Sequence, residues 1–208
     1  MKTPSKAKDL LDFIGSIEAP KGYGTIYGNN QRKLPVPLTS MTFDEVQKAQ
    51  RSWTKRFGSS ACGRYQFMRA TLKDLKTKMN IKGSTKFSAV LQDEMGYYLL
   101  KRRGYTKYMS GVMTRTLFGK KLAQEWASFP VLKDCKGAHQ RVKRGQSYYA
   151  GDALNKSLVS PVRIEQVLDK MLSKHTPKYK DQPKRKVVRE NQILRLIKWI
   201  ISLFTKRT

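Results

Sequence analysis

Glu18 ends an apolar-patterned segment and opens the glycine-rich run Ala19-Pro20-Lys21-Gly22-Tyr23-Gly24; downstream lies Ser59-Ser60-Ala61-Cys62-Gly63-Arg64-Tyr65-Gln66-Phe67. Phe13, Ile14 and Ile17 flank the carboxyl in sequence and are placed to desolvate its charged form, which raises a carboxyl pKa. A carboxyl kept protonated near neutral pH is what general acid cleavage of a glycosidic bond requires. Taken alone, a glutamate at a helix terminus reads as the end of a surface helix, so the chemical reading rests on the downstream segment. There Gly63 permits close backbone approach, and Gln66 offers a donor and an acceptor to a sugar amide or to the carboxyl itself. Tyr65 has the ring to stack on a pyranose; without Glu18 upstream, Tyr65 and Phe67 would read as core and Gln66 as a helix cap.

A glycosidase that hydrolyses its substrate normally sets a second Asp or Glu across the scissile bond. Between Glu18 and Asp74 the only acids are Asp44 and Glu45, and both fall in Thr42-Phe43-Asp44-Glu45, a capping box. The missing partner favours chemistry that uses one acid. A more distant acid folding into the cleft, or assistance from a substrate acetamide, would restore hydrolysis.

These groups need a frame. Leu10, Leu11, Phe13, Ile14 and Ile17 recur at helical spacing, and Thr3-Pro4 is expected to supply the N-cap and a proline at the first helical position. This helix delivers Glu18 at its end. Gly22, Gly24, Gly28, Asn29 and Asn30 alternate with Tyr23, Ile26 and Tyr27, predicting a short hairpin or irregular loop as one lip of a cleft. Further helices are predicted around Val46, Ala49 and Trp53; Leu72, Leu75 and Met79; Val90, Leu91, Tyr98 and Leu99; and Leu117, Phe118, Leu122, Trp126 and Phe129. Core packing is the default role of Trp126. Pro161 is expected to break the segment after residues 152–155, with Ile164, Val167, Leu168, Met171 and Leu172 marking the last core helix.

The chain has 208 residues, enough for one core of about 150 to 170 residues and an appendage. Its net charge of +28 predicts attraction to polyanions: nucleic acid, anionic lipid, lipopolysaccharide or wall polymers. Two cysteines, Cys62 and Cys135, lack the paired spacing of a zinc site and are expected as free thiols; neither metal nor cofactor is expected. The first residues lead into a charged amphipathic segment and not into an apolar run, so no cleavable signal is expected.

Composition divides the chain into an expected catalytic body, residues 1–173, a basic linker, 174–189, and an amphipathic basic helix, 190–208. The last concentrates Ile193, Leu194, Leu196, Ile197, Ile200, Ile201 and Leu203 among cations. It is shorter than the roughly 20 apolar residues of a spanning helix, which suits an interfacial position with Arg195, Lys198, Trp199 and Phe204 as membrane contacts. Packing of that helix on protein is the alternative.

Through Ser60 to Gln66 and Glu125-Trp126-Ala127-Ser128-Phe129-Pro130, the chain resembles the phage lambda endolysin group and related bacterial muramidases of the lysozyme superfamily. The likeness extends through Leu91-Gln92-Asp93, Arg103-Gly104-Tyr105 and the segment from Ser147 to Asn155, and so covers most of residues 8 to 172. It implies an α+β, mainly α, lysozyme-like fold with a small β region, peptidoglycan as substrate, and attack on the β-1,4 bond between N-acetylmuramic acid and N-acetylglucosamine. It maps the catalytic acid onto Glu18 and implies the lytic transglycosylase route, with hydrolytic muramidase action as the alternative. The expected sugar groove holds Tyr23, Ser60, Gly63, Tyr65 and Gln66 with Tyr148 and Tyr149, of which one is buried and one lines the groove. Action in the periplasm or cell wall follows, by release at lysis, from a virion or through a non-classical export route. The contrary class is a non-enzymatic basic protein binding nucleic acid or membrane; no zinc-finger or RRM pattern supports specific nucleic-acid binding.

Overall fold

Leu10, Leu11 and Ile14 are buried on one side of the first helix, α1 (Ser5–Glu18), where the apolar spacing places them. The computed structural model describes residues 3–151 and 155–173; the expected linker and C-terminal helix, with Arg195, Lys198, Trp199 and Phe204, lie outside them. The start of α1 differs by one position from expectation. Pro4 is the N-cap, in extended backbone at φ −61° and ψ 148°, and Ser5 is the first helical residue, with no side-chain cap from Thr3. Proline fits there because it has no N–H to leave unpaired.

The helices α2 (Phe43–Phe57), α3 (Arg69–Lys78) and α4 (Ala89–Arg102) follow. At the head of α2 the predicted capping box forms: Glu45 N donates to Thr42 Oγ1 at 3.3 Å and Thr42 N donates to Glu45 Oε2 at 2.6 Å. Asp44 ion-pairs with Lys76, so both acids of that box have structural partners. A short α5 (Tyr105–Met109), then α6 (Arg115–Ala123) and α7 (Pro161–Ser173) complete the helical body, mainly α as expected.

The β component is small: β1 (Cys135–Lys136) pairs antiparallel with β2 (Arg141–Val142), Cys135 opposite Val142. Single bridges join Ile26 to Cys62 and Cys62 to Phe67. The predicted hairpin or irregular lip is a loop that runs into 3-10 turns at Tyr27–Lys33 and Leu38–Ser40.

One further boundary differs from the sequence expectation, and the expected break at Pro161 before the last core helix is present. Trp126 and Phe129 lie beyond the end of α6 at Ala123; their apolar spacing continues through a turn segment, where both are buried and pack edge to face. Pro161 begins α7, since the first turn of a helix tolerates a residue without an N–H. The core joins α1, α4 and the aromatic group Phe43, Phe67, Phe87, Phe118 and Phe129, all fully buried. Cys62 and Cys135 are free thiols.

Buried amides fix the segment below the lip. Gln50 Nε2 donates to Ser60 O at 2.7 Å and Phe67 O at 3.1 Å, while Gln92 Oε1 accepts from Arg64 N at 2.8 Å and Gln92 Nε2 donates to Phe87 O at 3.0 Å. Gly63 turns between them at φ +76°, and a Cβ there would stand 2.5 Å from Gln92 Oε1. Gly63→Ala is therefore expected to cost about 1–3 kcal/mol, from backbone strain and the displaced amide. Urea denaturation checks this; a change within about 0.5 kcal/mol would remove the steric argument.

Candidate active site

The last residue of α1 puts its carboxyl at the edge of a cleft of about 820 Å³. One wall is the lip, Thr25 to Asn29; another is formed by Ala61, Gln66, Met68 and Thr71; Arg102, Arg103 and the turn Gln124 to Ser128 complete it with Tyr149. The lip is sewn down by its backbone: Gly63 N donates to Thr25 O at 2.7 Å and Tyr27 N donates to Ala61 O at 3.0 Å. The glycine at 63 thus has a positional reason, since its N–H must reach the lip through a left-handed turn.

Only part of Glu18 meets the cleft; protein encloses the rest. Burial is the main cause that pushes its pKa up from 4.5 to about 7, and a hydrogen bond donated by Ser128 Oγ to Glu18 Oε1 partly opposes the shift. The position at a helix C-terminus also disfavours negative charge. Ser128 is itself buried, and its carbonyl accepts from Leu158 N at 2.8 Å, so the hydroxyl is held in place. Near neutral pH the site can therefore offer a proton.

A second carboxylate lines the cleft, and it lies far from Glu18 in sequence. Glu125 accepts from Arg103 Nε at 2.6 Å and from Arg102 Nη2 at 3.1 and 3.2 Å, and its side chain is only 7% exposed. Each oxygen accepts a guanidinium hydrogen bond, so the carboxylate is charge-paired and held against the cleft wall.

Of the sequence-predicted site residues, Glu18, Gln66 and Tyr149 line the cleft. Gln66 stands at φ +48° with its Nε2 donating to Gly63 O at 2.8 Å, and Tyr149 donates its hydroxyl to Gln124 O at 2.8 Å. Tyr65 does not have the exposed face that stacking on a sugar requires. It is 2% exposed, and its hydroxyl donates to Asp93 Oδ1 at 2.5 Å, so it belongs to the core. Tyr23 donates to the same oxygen at 2.9 Å; burial first, and then that hydrogen bond, pushes its phenol up to about 12. Together the two phenols tie the lip and the segment below it to α4. Ser60 is buried and accepts from Arg69 N at 3.2 Å, and Gly63 acts through its backbone. Tyr148 stands beside the wall, edge to face with Tyr149 at 5.2 Å and with Lys120 Nζ 5.7 Å from its ring centre. Both of these tyrosines are half-buried: Tyr149 is the one that lines the cleft, and Tyr148 is not the buried member that the pattern leads one to expect.

Sequence reasoning missed Arg102, Arg103, Gln124, Glu125 and Ser128 as cleft residues. The available signal is the segment from Glu125 to Pro130, whose likeness carries no information about its distance from Glu18. Among the described residues no three His, Cys, Asp or Glu side chains gather as a metal site, and no helix is long and apolar enough to cross a membrane.

No curated protein and no solved structure matches the chain. A family model described as Endolysin matches residues 14–152, a span that begins just before Glu18 and takes in the lip, the Gly63 turn, the Arg102–Arg103 pair and Ser128. That match runs over well more than half of the sequence and through most of the cleft lining, so the chain belongs to the endolysin family and is an enzyme that degrades the peptidoglycan of the cell wall.

Proposed function

We propose that the enzyme is a lytic transglycosylase that cleaves the β-1,4 bond between N-acetylmuramic acid and N-acetylglucosamine, with Glu18 as its catalytic acid and base. The observation that carries this reading is the contrast between two cleft carboxyls: Glu18 is desolvated and poised near pH 7, while Glu125 is fully engaged by two arginines. Protonated Glu18 gives its proton to the glycosidic oxygen as the bond from the muramic C1 breaks, releasing the N-acetylglucosamine 4-hydroxyl. The resulting carboxylate takes the proton of the muramic 6-hydroxyl, whose oxygen attacks C1 to close a 1,6-anhydro ring. Glu18 ends protonated, and no water is consumed. Gln66 and Tyr149 line the cleft where the sugars would lie.

The test is mass spectrometry of soluble fragments released from purified peptidoglycan. Anhydro-muropeptides are expected; reducing ends in their place would overturn transglycosylation in favour of hydrolysis. Activity is expected to fall as pH rises through about 7, because the initiating acid loses its proton there. Ser128→Ala removes a hydrogen bond that favours the ionised form, so it should move this alkaline limb upward by up to about one pH unit. A pH–rate profile checks the direction; a downward shift would contradict the role given to Ser128.

A chain of net charge +28 is drawn to the anionic wall and envelope, the more so at low salt. The apolar, cation-flanked segment 190–208 supports binding to anionic membrane or lipopolysaccharide through Arg195, Lys198, Trp199 and Phe204, in the periplasm after release at lysis. Deleting residues 175–208 should reduce co-sedimentation with anionic liposomes; unchanged binding would sink this role.

A further inference from the structure

Arg102 and Arg103 present more donors than their protein partners use. Arg102 Nη1 donates to Asp74 Oδ2 at 2.8 Å and its Nη2 to Glu125; Arg103 Nε donates to Glu125 and its Nη2 to Gln124 O at 3.1 Å. Arg103 Nη1 has no partner among the described residues. Both residues line the cleft, and their side chains remain 36% and 26% exposed. The partners hold the two guanidinium planes still, so a ligand would meet them without a further ordering cost. Gln124, which also lines the cleft, carries a buried Oε1 with no hydrogen-bond partner.

The charge of the cleft is unbalanced. Its ionisable lining includes Glu18, Arg102, Arg103, Glu125 and Lys156; with Glu18 protonated, three cations are answered by Glu125 and, outside the lining, by Asp74 on Arg102, which leaves a cation in excess. A neutral amino-sugar chain makes no use of that excess. A carboxylate carried on the sugar does, and planar guanidinium forks match carboxylate geometry.

We infer that Arg103, with Arg102 beside it, forms a subsite for a carboxylate borne by the muramic residue, which makes the enzyme selective for acidic wall glycan over neutral N-acetylglucosamine polymer. The inference rests on the sugar cleft proposed above. The shared chemistry is a carboxylate, supplied either by the lactyl ether of a muramic residue without peptide or by an attached stem peptide. Glu125 sets the orientation of the forks, and Arg103 Nη1 is the donor left for the ligand.

Binding is measured by calorimetry at low salt in full-length chain carrying Glu18→Gln, which prevents turnover. Three probes are compared: an N-acetylglucosamine tetramer, a muramic-acid-containing tetramer with free lactyl groups, and the same glycan with its stem peptides. The acidic probes are expected to bind tighter than the neutral one. Adding Arg103→Gln should weaken them by roughly tenfold to a hundredfold and change the neutral probe less than about twofold. Preference for the free lactyl form identifies that group as the source; preference confined to the peptide form identifies the peptide. Equal binding of neutral and acidic probes before the arginine is changed overturns the inference, as does an equal loss for all three after it. Arg102→Gln keeps the Arg103–Glu125 pair and serves if Arg103→Gln fails to fold; it should narrow the same preference, and no narrowing counts against the subsite. Failure of the catalytic reading shows separately, as fragments still released from peptidoglycan by the Glu18→Gln chain.

Discussion

Glu18→Gln is expected to lower fragment release from peptidoglycan by at least about 10³-fold while making the protein more stable above pH 7. The loss follows from the two proton transfers assigned to one carboxyl, neither of which an amide can perform. The substitution keeps size and shape, and the Ser128 hydroxyl can donate to the amide oxygen as it does to the carboxyl. The gain in stability has a definite sign. With its pKa raised from 4.5 to about 7, the folded chain holds this proton more tightly than the unfolded chain. Stability from this group is therefore complete below about pH 4.5, falls as pH rises between the two values, and is lost above about 7. The full drop is of order 2–3 kcal/mol after allowance for the part of the side chain that meets the cleft. A neutral amide in place of the carboxyl carries no such penalty, so the variant should melt some 4–10 °C higher than the parent at pH 8 and close to it near pH 4. Melting curves at the two pH values, run beside product analysis, check both effects. Retained cleavage would remove Glu18 from the mechanism; an advantage equal at both pH values would remove the desolvation argument.

Glu125→Gln should have the opposite profile: a loss of about 2–4 kcal/mol in stability, with cleavage by the folded fraction kept within about tenfold. The carboxylate is nearly inaccessible and receives hydrogen bonds from two guanidiniums, so its removal leaves Arg102 and Arg103 facing each other without their shared counter-ion. The cost stays below that of a fully buried pair because both arginines retain access to solvent. Denaturation together with activity normalised to folded protein separates the two quantities. A loss of about 10³-fold or more in a well-folded variant would instead make Glu125 a second catalytic carboxyl, and the hydrolytic mechanism would follow.

Much of the frame is legible in local pattern. The apolar spacing of Leu10, Leu11 and Ile14 gives α1, and the reciprocal bonds of Thr42 and Glu45 mark the start of α2. Both signals act over one or two helical turns, so nearby residues suffice. The same rule fails where spacing continues past a helix, as at Trp126 and Phe129, because burial in a turn segment can reproduce helical periodicity. Pattern alone leaves Tyr65 open between sugar stacking and core; the decision comes from Asp93, which accepts its hydroxyl from α4, 28 residues away.

By itself, the sequence determined that the chain is mainly helical and strongly cationic, that its cysteines lack the spacing of a metal site, that Glu18 ends a helix beside a glycine-rich lip, and that few acids lie near it. Tertiary structure alone decided which groups surround that carboxyl. Ser128 approaches it across 110 positions of chain, and Glu125 enters the same cleft already neutralised by Arg102 and Arg103. The reason is physical: helix and turn formation depend on neighbours within a few residues, whereas desolvation and charge pairing depend on distance in space, which only the packed chain sets.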